Sequence, residues 1–355
     1  MAVLGSGTRV TDTLVVDRLL GEGAYAEVYR VRHRYLSWQA MKVFKQVATR
    51  AGTDALLGEA RLLSTLGHPN IVRLFDAGTL DTPGSRRGYF TMEYIAGGSL
   101  RRLVRAHSRT SVPLDAAVRV IEQMTDGLAA AHRQSPPILH RDLTLDNVLV
   151  GYEESGMRVR LSDFGLSKRA DPLTRLASAQ GTYAFMAPEV QRGEGYSTAG
   201  DVWALGTIAY VLLTGKHPFD DGKPMHVYEM DRYRTPPLAP SRFNDNVDTG
   251  LDRVVLGALA TDPAKRTRDA VTLAEALRGR HRRLPNWPVL PEYEPPAGPG
   301  ERRAAELVQR AMELARYPVR LRDAADLLEE AVSLSAIQRA RHMNRLALWR
   351  RGVMM

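Results

Sequence analysis

The chain has 355 residues, which at roughly 150 residues per domain predicts about two domains, or one two-lobed unit with an appendage. Its 44% apolar and 25% charged residues are ordinary globular usage, and the absence of cysteine excludes disulfide frameworks and thiolate metal sites. The net charge of +9 arises from scattered basic residues that are not interleaved with aromatic ones, so we expect no nucleic-acid partner.

No segment is typical of a leader peptide or a membrane span. The first residues lack a basic stretch followed by an apolar core, which a secretory signal would need. The most apolar stretch, residues 202–215, is shorter than the roughly 20 residues of a membrane-spanning helix. We therefore expect a cytoplasmic protein with no membrane span.

Short β-prone runs dominate the N-terminal part of the chain. They predict strands over residues 14–20, 28–31, 39–44, 71–75 and 89–94. Residues 54–66 carry leucines at helical spacing, so one helix is expected among these strands. After the glycine pair at residues 97–98 the pattern is mostly helical up to about residue 280. This order predicts a small β-rich lobe followed by a larger helical lobe.

Proline is dense in residues 285–300, where six of sixteen residues are proline. This density favours an extended connection, so we expect a linker over residues 284–300. Apolar residues at helical spacing predict three helices beyond it, over residues 301–316, 320–334 and about 337–350. They form a C-terminal helical extension, either as a hairpin of the tetratricopeptide sort or packed on the larger lobe.

Two glycines, Gly21 and Gly23, lie between the first two predicted strands. Because glycine has no Cβ, the backbone there can approach a phosphate closely, although an ordinary hairpin turn would also explain the pair if it stood alone. Lys42 follows on a predicted strand, 19 residues after Gly23, where its ammonium could reach nucleotide phosphates. Glu59 is the only glutamate between Lys42 and His68, and we expect it to pair with Lys42.

Four further motifs follow in the predicted helical lobe. They are Leu-His-Arg-Asp-Leu-Thr-Leu-Asp-Asn at residues 139–147, Asp-Phe-Gly at 163–165, Ala-Pro-Glu at 187–189 and Asp-Val-Trp at 201–203. With the glycine pair and Lys42, these motifs stand in the order and at the spacings of one family. Over about residues 13–283 the chain resembles the eukaryotic-type (Hanks-type) bacterial serine/threonine protein kinases.

The resemblance implies an α+β, two-lobed protein-kinase fold with a β-rich N-lobe, a helical C-lobe and a C-terminal helical extension. The N-lobe is expected at about residues 13–93 and the C-lobe at about 97–283. Residues 1–12 would form an N-terminal extension, 284–300 the Pro-rich linker and 301–355 the helical extension. The implied activity is transfer of the γ-phosphate of Mg-ATP to serine or threonine hydroxyls of a protein substrate.

The same resemblance assigns the catalytic and metal-binding roles. Asp142 accepts or orients the proton of the substrate hydroxyl, and Lys42 holds the α- and β-phosphates while Glu59 orients Lys42. Asn147, also counted with the catalytic residues, and Asp163 supply oxygen ligands to Mg²⁺, with Mn²⁺ as an alternative.

The residues expected to bind ATP come from both lobes. They are Leu20, Gly21, Glu22, Gly23, Ala24, Tyr25, Ala26, Val28, Ala40, Lys42, Met92, Glu93, Ile95 and Leu149. Adenine would lie above Leu149 and in front of Met92. Its polar edge would meet the backbone of Glu93 and Ile95 in the segment that joins the lobes, and Tyr25 would cover the phosphates.

The resemblance is incomplete at Thr144, where serine/threonine kinases usually carry a lysine that bridges the base and the γ-phosphate. This departure supports one alternative, a pseudokinase that serves as a binding scaffold. A second alternative is a small-molecule phosphotransferase of related fold, which usually lacks an Ala-Pro-Glu segment. Thr182 favours a serine/threonine substrate, and Ala26, in place of a third glycine, would add one methyl group at a solvent-facing tip.

Several matched residues are interpreted as structural. His140 and Phe164 are expected to pack in an apolar spine that joins the lobes, and Asp201 to anchor the loop that contains Asp142. Glu189 and Arg266 are expected to form a buried ion pair. Three more histidines have no clustered partners and are interpreted as surface or packing residues: His107, His132 and His217.

Activation and docking are predicted from the remaining features. Arg141 precedes Asp142, and a phosphate on Thr174 or Ser178 would carry about −2 charge and three acceptor oxygens suited to this guanidinium. We therefore expect autophosphorylation at Thr174 or Ser178. The C-terminal helices could recruit a partner protein.

Overall fold

The structure is a computed structural model that describes residues 3–23, 26–45, 66–82, 85–107, 112–153, 156–164, 183–220, 230–282, 299–315, 317, 320–350 and 352. The chain divides into two compact units, Met1–Arg283 and Leu284–Met355. Among the described residues, no helix has both the length and the apolar character needed to cross a lipid bilayer.

An antiparallel sheet with strand order β1-β2-β3-β5-β4 forms the N-terminal lobe. Its strands are β1 (Leu14–Glu22), β2 (Ala26–His33), β3 (Ser37–Phe44), β4 (Leu74–Thr82) and β5 (Ser85–Glu93). Side chains alternate between the faces of a strand. Met41 and Val43 therefore pack in one apolar cluster, whereas Ala40 packs in a second cluster that includes the helical lobe. Lys42 shares the face of Ala40, toward the helical lobe.

The residues before β1 cover the outer face of this sheet. Leu4 is buried there, and its N–H donates to the Tyr29 hydroxyl at 2.9 Å. The N–H of Val3 donates to Glu27 Oε2 at 2.8 Å, and the Tyr29 hydroxyl donates to the same carboxylate. Burial and the Glu27 contact raise the pKa of Tyr29 to about 12, so its hydroxyl remains a donor. Residues 3–4 thus form part of the core of the sheet.

The predicted strand over residues 71–75 is wrong in its position. Ile71 forms only an isolated bridge with Leu161, and β4 begins at Leu74. The N–H of Val72 donates to Leu161 O at 2.9 Å, and the N–H of Leu161 donates to Asn70 O at 2.8 Å. The hydrogen-bond partner of this segment, Leu161, lies about 90 residues later in the chain and belongs to the helical lobe. The segment therefore pairs with that lobe.

The helical lobe contains α1 (Leu100–Ala106), α2 (Leu114–His132), α3 (Pro188–Gln191), α4 (Thr198–Thr214), α5 (Thr249–Ala258) and α6 (Ala270–Arg282). Apolar residues surround α4 on every side, and from Ala199 to Leu213 almost all of its side chains are buried. A helix that is apolar all round lies inside a lobe. Its start is capped by Ser197, whose hydroxyl accepts the N–H of Gly200, and Gly215 ends it with a left-handed φ of 71°.

A two-stranded hairpin interrupts the region predicted to be mostly helical. It consists of β6 (Val148–Glu153) and β7 (Gly156–Leu161), paired antiparallel. Val148, Val150 and Val159 are buried, at alternate positions within β6 and on the facing strand. The prediction overlooked this hairpin because its strands are short and helices flank them. The hairpin leads directly into Ser162 and Asp163.

The Leu284–Met355 unit contains α7 (Pro299–Leu314), α8 (Leu321–Leu334) and α9 (Ala336–Trp349). These helices agree with the predicted helical extension, and their core includes Leu328 and Trp349. Helix α7 begins at Pro299, inside the segment expected to be linker. Proline is favoured in the first turn of a helix because its missing N–H has no intrahelical partner there.

Candidate active site

Lys42 and Asp163 form an ion pair between the two lobes. Lys42 Nζ lies 2.7 Å from Asp163 Oδ1, and the two side chains are 10% and 22% exposed. An ammonium with so little exposure requires an acidic partner. Asp163 has a φ of 60°, in the left-handed region that non-glycine residues rarely adopt except where the surrounding structure compensates. The pair holds a cation and a carboxylate at one point of the interface between the lobes.

Asn147 connects the residues of the loop 139–147. Its Nδ2 donates to Asp142 O at 2.7 Å and to Asp142 Oδ2 at 3.2 Å. Its backbone O accepts the N–H of Ser162 at 2.9 Å, one residue before Asp163. Because the amide nitrogen is bonded to Asp142, the amide oxygen is the atom of Asn147 that is suited to a cation.

Asp201 anchors this loop from the buried helix α4, as predicted. Its Oδ2 accepts the N–H of His140 at 2.7 Å, and its Oδ1 accepts the N–H of Arg141 at 2.8 Å. Arg141 has a φ of 64°, so the backbone turns in the left-handed region just before Asp142. The two hydrogen bonds hold that turn in place, and Asp201 is only 4% exposed.

The interpretation of His132 as a residue without clustered partners is wrong. Its Nε2 lies 3.1 Å from Asp201 Oδ2, and its Nδ1 accepts the N–H of Ala270 at 3.2 Å. A ring whose Nδ1 accepts a hydrogen bond carries its proton on Nε2 and donates it to Asp201. The sequence contains no local signal for this contact, because Asp201 follows 69 residues later.

His140 packs in the interior, as expected. It is fully buried, and its ring centroid lies 4.5 Å from that of Phe164. Burial lowers the pKa of His140, so the ring stays neutral at physiological pH even though Asp201, Asp142 and Asp163 act in the opposite direction. A neutral imidazole, tilted by 35° against the Phe164 ring, joins the loop 139–147 to the segment that carries Asp163.

The predicted ion pair of Glu189 and Arg266 is confirmed. Arg266 Nη1 and Nη2 lie 2.6 and 2.9 Å from the two carboxylate oxygens of Glu189. Arg266 also donates to Ala199 O at 3.0 Å and to Ala260 O at 2.8 Å. Its guanidinium lies 4.9 Å from the centroid of the Trp203 ring. This buried network fixes the Ala-Pro-Glu segment to the core of the helical lobe.

The apolar residues expected to enclose adenine belong to one cluster. Ala40 and Met92 lie opposite each other in β3 and β5, and each is 5% exposed. Val28 of β2 and Leu149 of β6 are half-buried and pack against the same cluster. The structure thus brings together candidate residues from both lobes, while their contact with a nucleotide stays a prediction.

The candidates at the end of β1 lie at the surface. Leu20 is 40% exposed, and Gly21, Glu22 and Gly23 are exposed as well. The N–H of Gly23 donates to Ala26 O at 2.8 Å, which closes the turn between β1 and β2. A Cβ at Gly21 would meet no atom within 4 Å, so this backbone borders open space.

Two candidates at this turn have specific contacts: Ala26 is buried in the sheet, and Glu22 bonds to Lys45. Ala26 is 6% exposed, so its expected place at a solvent-facing tip is wrong. The reason is that β2 begins at Ala26, which pairs with Phe44 of β3. Glu22 bonds to Lys45, and this hydrogen bond, together with the charge of Lys45, lowers the pKa of Glu22.

The segment that joins the lobes begins at Glu93. Its N–H donates to Arg73 O at 2.9 Å, and its carboxylate lies 3.1 Å from Arg160 Nε. Since the N–H of Glu93 is bonded to Arg73, its carbonyl is the backbone group that could meet adenine. Ile95 is half-buried, and a Cβ on Gly151 would come within 3.3 Å of its side chain, so the glycine makes room for Ile95.

Thr144 is buried within the loop 139–147. It is 5% exposed, and its Oγ1 accepts the N–H of Asp146 at 3.3 Å. Asp146 in turn accepts hydrogen bonds from Arg101 Nε at 2.7 and 2.8 Å. The pair of Arg101 and Asp146 was not predicted, and its members are 45 residues apart, so the sequence offers no local signal for it.

The contacts above connect Lys42, Asp142, Asn147 and Asp163 through direct bonds or adjacent backbone. The remaining predicted site residues lie outside the described residues, and their roles stay predictions: Ala24, Tyr25, Glu59, Thr174 and Ser178.

The donor set at this site fits a magnesium ion bound together with a nucleotide. Among the described residues, no group of three or more histidine, aspartate or glutamate side chains could hold a metal alone. The Asp163 carboxylate and the Asn147 amide offer two hard oxygen donors. Mg²⁺ is usually bound by one or two protein carboxylates, with phosphate oxygens and waters as its other ligands.

The family model and the relatives that match this chain are all protein kinases. A family model described as "Protein kinase domain" matches residues 14–278. The chain is 34% identical over 293 residues to CBL-interacting protein kinase 25 of Oryza sativa subsp. japonica, an alignment that covers 78% of this chain and 53% of that protein. It is 31% identical over 294 residues to the serine/threonine-protein kinase PknB of Mycolicibacterium smegmatis, covering 80% of this chain and 46% of that protein.

The fold of this chain is also similar to that of a solved protein-kinase domain. The crystal structure of the Mycobacterium tuberculosis PknI kinase domain is similar with a TM-score of 0.59 and 26% identity, over 78% of this chain and 99% of that chain. The chain spans about half the length of the curated relatives it matches. By its family match, its motifs and its two-lobed fold, the chain belongs to the eukaryotic-type (Hanks-type) protein kinase family, with bacterial serine/threonine kinases among its relatives.

Proposed function

We propose that the chain is an ATP-dependent serine/threonine protein kinase. The observation that carries the proposal is the connected set of Lys42, Asp163, Asn147 and Asp142, with Lys42 Nζ 2.7 Å from Asp163 and Asn147 Nδ2 3.2 Å from the Asp142 carboxylate. Phosphoryl transfer needs positioning and charge neutralisation more than covalent participation of the protein. Positioning and charge neutralisation can both be supplied by the Lys42 cation, the Asp142 and Asp163 carboxylates and the Asn147 amide.

Asp142 orients the acceptor. The substrate hydroxyl oxygen attacks the γ-phosphorus of ATP, the bond from that phosphorus to the β,γ-bridging oxygen breaks, and ADP leaves. The hydroxyl proton passes to the Asp142 carboxylate. Asn147 keeps that carboxylate aimed through its Nδ2, and the left-handed turn at Arg141, bonded to Asp201, holds the backbone.

Lys42 and Asp163 hold the phosphates. Lys42 contacts the α- and β-phosphates, with Glu59 as its second acidic partner. The Asp163 carboxylate and the Asn147 amide oxygen bind Mg²⁺, or Mn²⁺ in its place. The metal neutralises the charge of the phosphate oxygens when it is bound. Lys42 can exchange part of its contact with Asp163 for phosphate oxygens, because this pair is less enclosed than the pair of Glu189 and Arg266.

Adenine binds between the lobes. Val28 and Ala40 cover it from the sheet, Leu149 supports it from β6, and Met92 closes the back of the pocket. The carbonyl of Glu93 and the backbone of Ile95 meet its polar edge. The remaining ATP contacts come from the turn between β1 and β2, at Leu20, Gly21, Glu22, Gly23, Ala24, Tyr25 and Ala26.

Two further proposals concern regulation. Autophosphorylation at Thr174 or Ser178 raises turnover through an ion pair with Arg141. The Leu284–Met355 unit recruits a partner protein through its helices. Their support is the hydroxyl-rich segment between residues 165 and 182 and the separate core of α7, α8 and α9.

One observation favours a second function, that of a pseudokinase scaffold. Thr144 replaces the usual lysine, and its hydroxyl is used inside the loop. A scaffold of this kind would bind ATP without transferring phosphate. A small-molecule phosphotransferase is disfavoured by the Ala-Pro-Glu segment and its buried pair of Glu189 and Arg266.

The test is phosphate transfer from labelled Mg-ATP to a mixture of general acceptor proteins, followed by identification of the labelled amino acids. We expect label on serine or threonine, and loss of that label with Asp142→Asn. Asp126→Asn is the matched control, since Asp126 is an exposed carboxylate on α2. ATP binding with no transfer to any acceptor would instead support the scaffold.

A further inference from the structure

A buried carboxylate lies next to the turn between β1 and β2. Glu27, the second residue of β2, is 1% exposed. Its Oε2 accepts the N–H of Val3 at 2.8 Å and also the hydroxyl of Tyr29. Burying an ionised carboxylate is costly unless hydrogen bonds satisfy it. In the described part of the chain these two donors hold Glu27 in the sheet, and one of them comes from outside the strands.

The Tyr29 hydroxyl connects the same carboxylate to the chain before β1. Tyr29 is fully buried, and its oxygen accepts the N–H of Leu4 at 2.9 Å while its proton is donated to Glu27. Leu4 is buried, and Val3 packs against the apolar cluster of the outer face. Two consecutive N–H groups, those of Val3 and Leu4, are thus bonded to side chains in the first half of β2.

Glu27 lies on the opposite face of the sheet from the residues expected to enclose adenine. Successive side chains of a strand point to opposite faces. Tyr29 and Val31 belong to the outer cluster, so Glu27 shares the outer face. Val28 packs in the cluster that includes the helical lobe. A movement of Glu27 out of the sheet would therefore also displace Val28, its neighbour in the chain.

The hydrogen-bond ladder between β1 and β2 is irregular at this end. The register shifts between Leu19 and Gly21, which leaves Leu20 without a partner on β2. A bulge of this kind disrupts the ladder locally. Beyond the shift, Glu22 pairs with Glu27, and the turn that follows begins with exposed residues. The ladder therefore supports the turn through few residues, so the outer contacts of Glu27 matter more here.

Loss of the contact with Val3 would act on the start of β2. A buried acceptor that loses a donor is better satisfied in water. The start of β2 is the end that can move outward, because the turn before it is exposed while Tyr29 and Val31 are fully buried. Such a displacement would change the surface over adenine and leave the loop that carries Asp142 in place.

We propose that Glu27 is a positioning residue for ATP, and that residues 3–4 act through it as the outer support of the turn between β1 and β2. The proposal rests on the proposed function, which assigns this turn to ATP. Glu27 faces away from the expected nucleotide and acts by holding the first residues of β2. Its removal should therefore weaken ATP binding and leave the phosphate-transfer step nearly unchanged.

The experiment measures the Kd of Mg-ATP by calorimetry on the full chain, together with kcat for transfer to a general acceptor protein. Glu27→Ala removes the acceptor of both bonds, and Val3→Pro removes only the N–H of Val3. We expect the Kd to rise about tenfold in Glu27→Ala and about threefold in Val3→Pro, with kcat within about twofold of wild type. Glu27→Gln should restore most of the affinity, because both donors reach the same oxygen, Oε2, which the amide oxygen can replace.

Val31→Ala is the matched control. Val31 is fully buried on the same strand and the same face as Glu27, but it lies further from the turn. This variant should lower the melting temperature and leave the Kd for ATP unchanged. An equal rise of the Kd in Val31→Ala would overturn the proposal, because the effect would then follow stability alone.

A wild-type Kd in the Glu27→Ala and Val3→Pro proteins would overturn the proposal as well. If Glu27→Ala does not fold, Val3→Pro decides the question, because it keeps every side chain of the sheet. ATP binding by the wild-type protein without phosphate transfer would overturn the kinase function alone, since the comparison of Kd values still tests Glu27. Absence of ATP binding by the wild-type protein would overturn both.

Discussion

Among the ionic contacts of the kinase unit, two groups differ in exposure, one in the core of the helical lobe and one between the lobes. Glu189 and Arg266 have side chains 7% and 0% exposed. Lys42 and Asp163 are 10% and 22% exposed, and their contact lies between the lobes. The first contact is almost fully enclosed by protein, whereas the second keeps some exposure, mostly at Asp163.

This difference indicates which contacts maintain geometry and which can exchange partners. Arg266 makes hydrogen bonds to a carboxylate and to backbone carbonyls, so removing it leaves a buried charge without its partner. Lys42 and Asp163 form the less enclosed of the two pairs, so this is the contact that we expect to exchange partners with phosphate or metal. We therefore expect changes in the buried group to affect stability and changes in the group between the lobes to affect turnover.

The largest expected effect is on stability. Arg266→Ala should lower the free energy of unfolding by about 3–5 kcal/mol, because it leaves Glu189 charged and buried. Arg268→Ala is the control, since Arg268 is 80% exposed in its contact with Asp269 and such pairs contribute at most about 1 kcal/mol. Urea unfolding followed by circular dichroism measures both. Similar losses for the two variants would contradict the division into two groups.

The next effect is on catalysis. Lys42→Ala should reduce phosphate transfer about 100-fold or more, since it removes a positioned charge from the site. The melting temperature should fall less than in Arg266→Ala, because the carboxylate left behind, Asp163, is more exposed than Glu189. Lys265→Ala serves as the control, with a side chain 81% exposed. Near-normal turnover in Lys42→Ala would remove this site from the reaction.

Asp201→Asn tests the link between the two groups. The amide has one oxygen for the three N–H groups of His132, His140 and Arg141, so at least one hydrogen bond is lost and a donor faces a donor. The cost of such a change is about 1–3 kcal/mol. We expect kcat to fall about tenfold or more, which corresponds to an increase of about 1.4 kcal/mol or more in the activation free energy. The affinity for ATP should be retained. A loss of ATP affinity with unchanged kcat would place the effect elsewhere.

A smaller effect concerns pH. Burial holds the pKa of His140 below the 6.5 of a free imidazole, so below that pH the unfolded chain takes up a proton that the folded chain does not. Stability should therefore be full above pH 6.5 and decline as the pH falls. His140→Phe should show a shallower decline than wild type in urea unfolding from pH 8 to pH 5. His107→Phe is the control variant. If its free energy of unfolding declined with pH as shallowly as that of His140→Phe, a specific role for His140 would be excluded.

The sequence predicted those features of the fold that depend on local patterns. Short β-prone runs predicted β1, β2 and β3, and leucine and alanine spacing predicted α7 and α8. The strand expected at residues 71–75 failed because its hydrogen-bond partner, Leu161, is remote in the chain. The hairpin of β6 and β7 was not predicted, since two short strands between helices give a weak local signal.

At the candidate site, too, contacts between residues remote in the chain could not be predicted from local sequence patterns. The resemblance to protein kinases predicted the Asp201 anchor and the pair of Glu189 and Arg266, and local composition could not have done so. The bond between His132 and Asp201 and the pair of Arg101 and Asp146 were not predicted. Both join residues at least 45 positions apart, and one partner of each contact, His132 or Arg101, lies outside the family motifs.

The most direct test of phosphate transfer at this site is the intact mass of the purified protein after incubation with Mg-ATP, beside Asp142→Asn. We expect the wild-type protein to gain phosphate groups that map to serine or threonine residues, including Thr174 or Ser178. Asp142→Asn, which keeps the ATP-binding residues, should gain none. Equal phosphate incorporation in both proteins would contradict a catalytic role for Asp142, and no incorporation in wild type, with no transfer to added acceptor proteins, would contradict kinase activity.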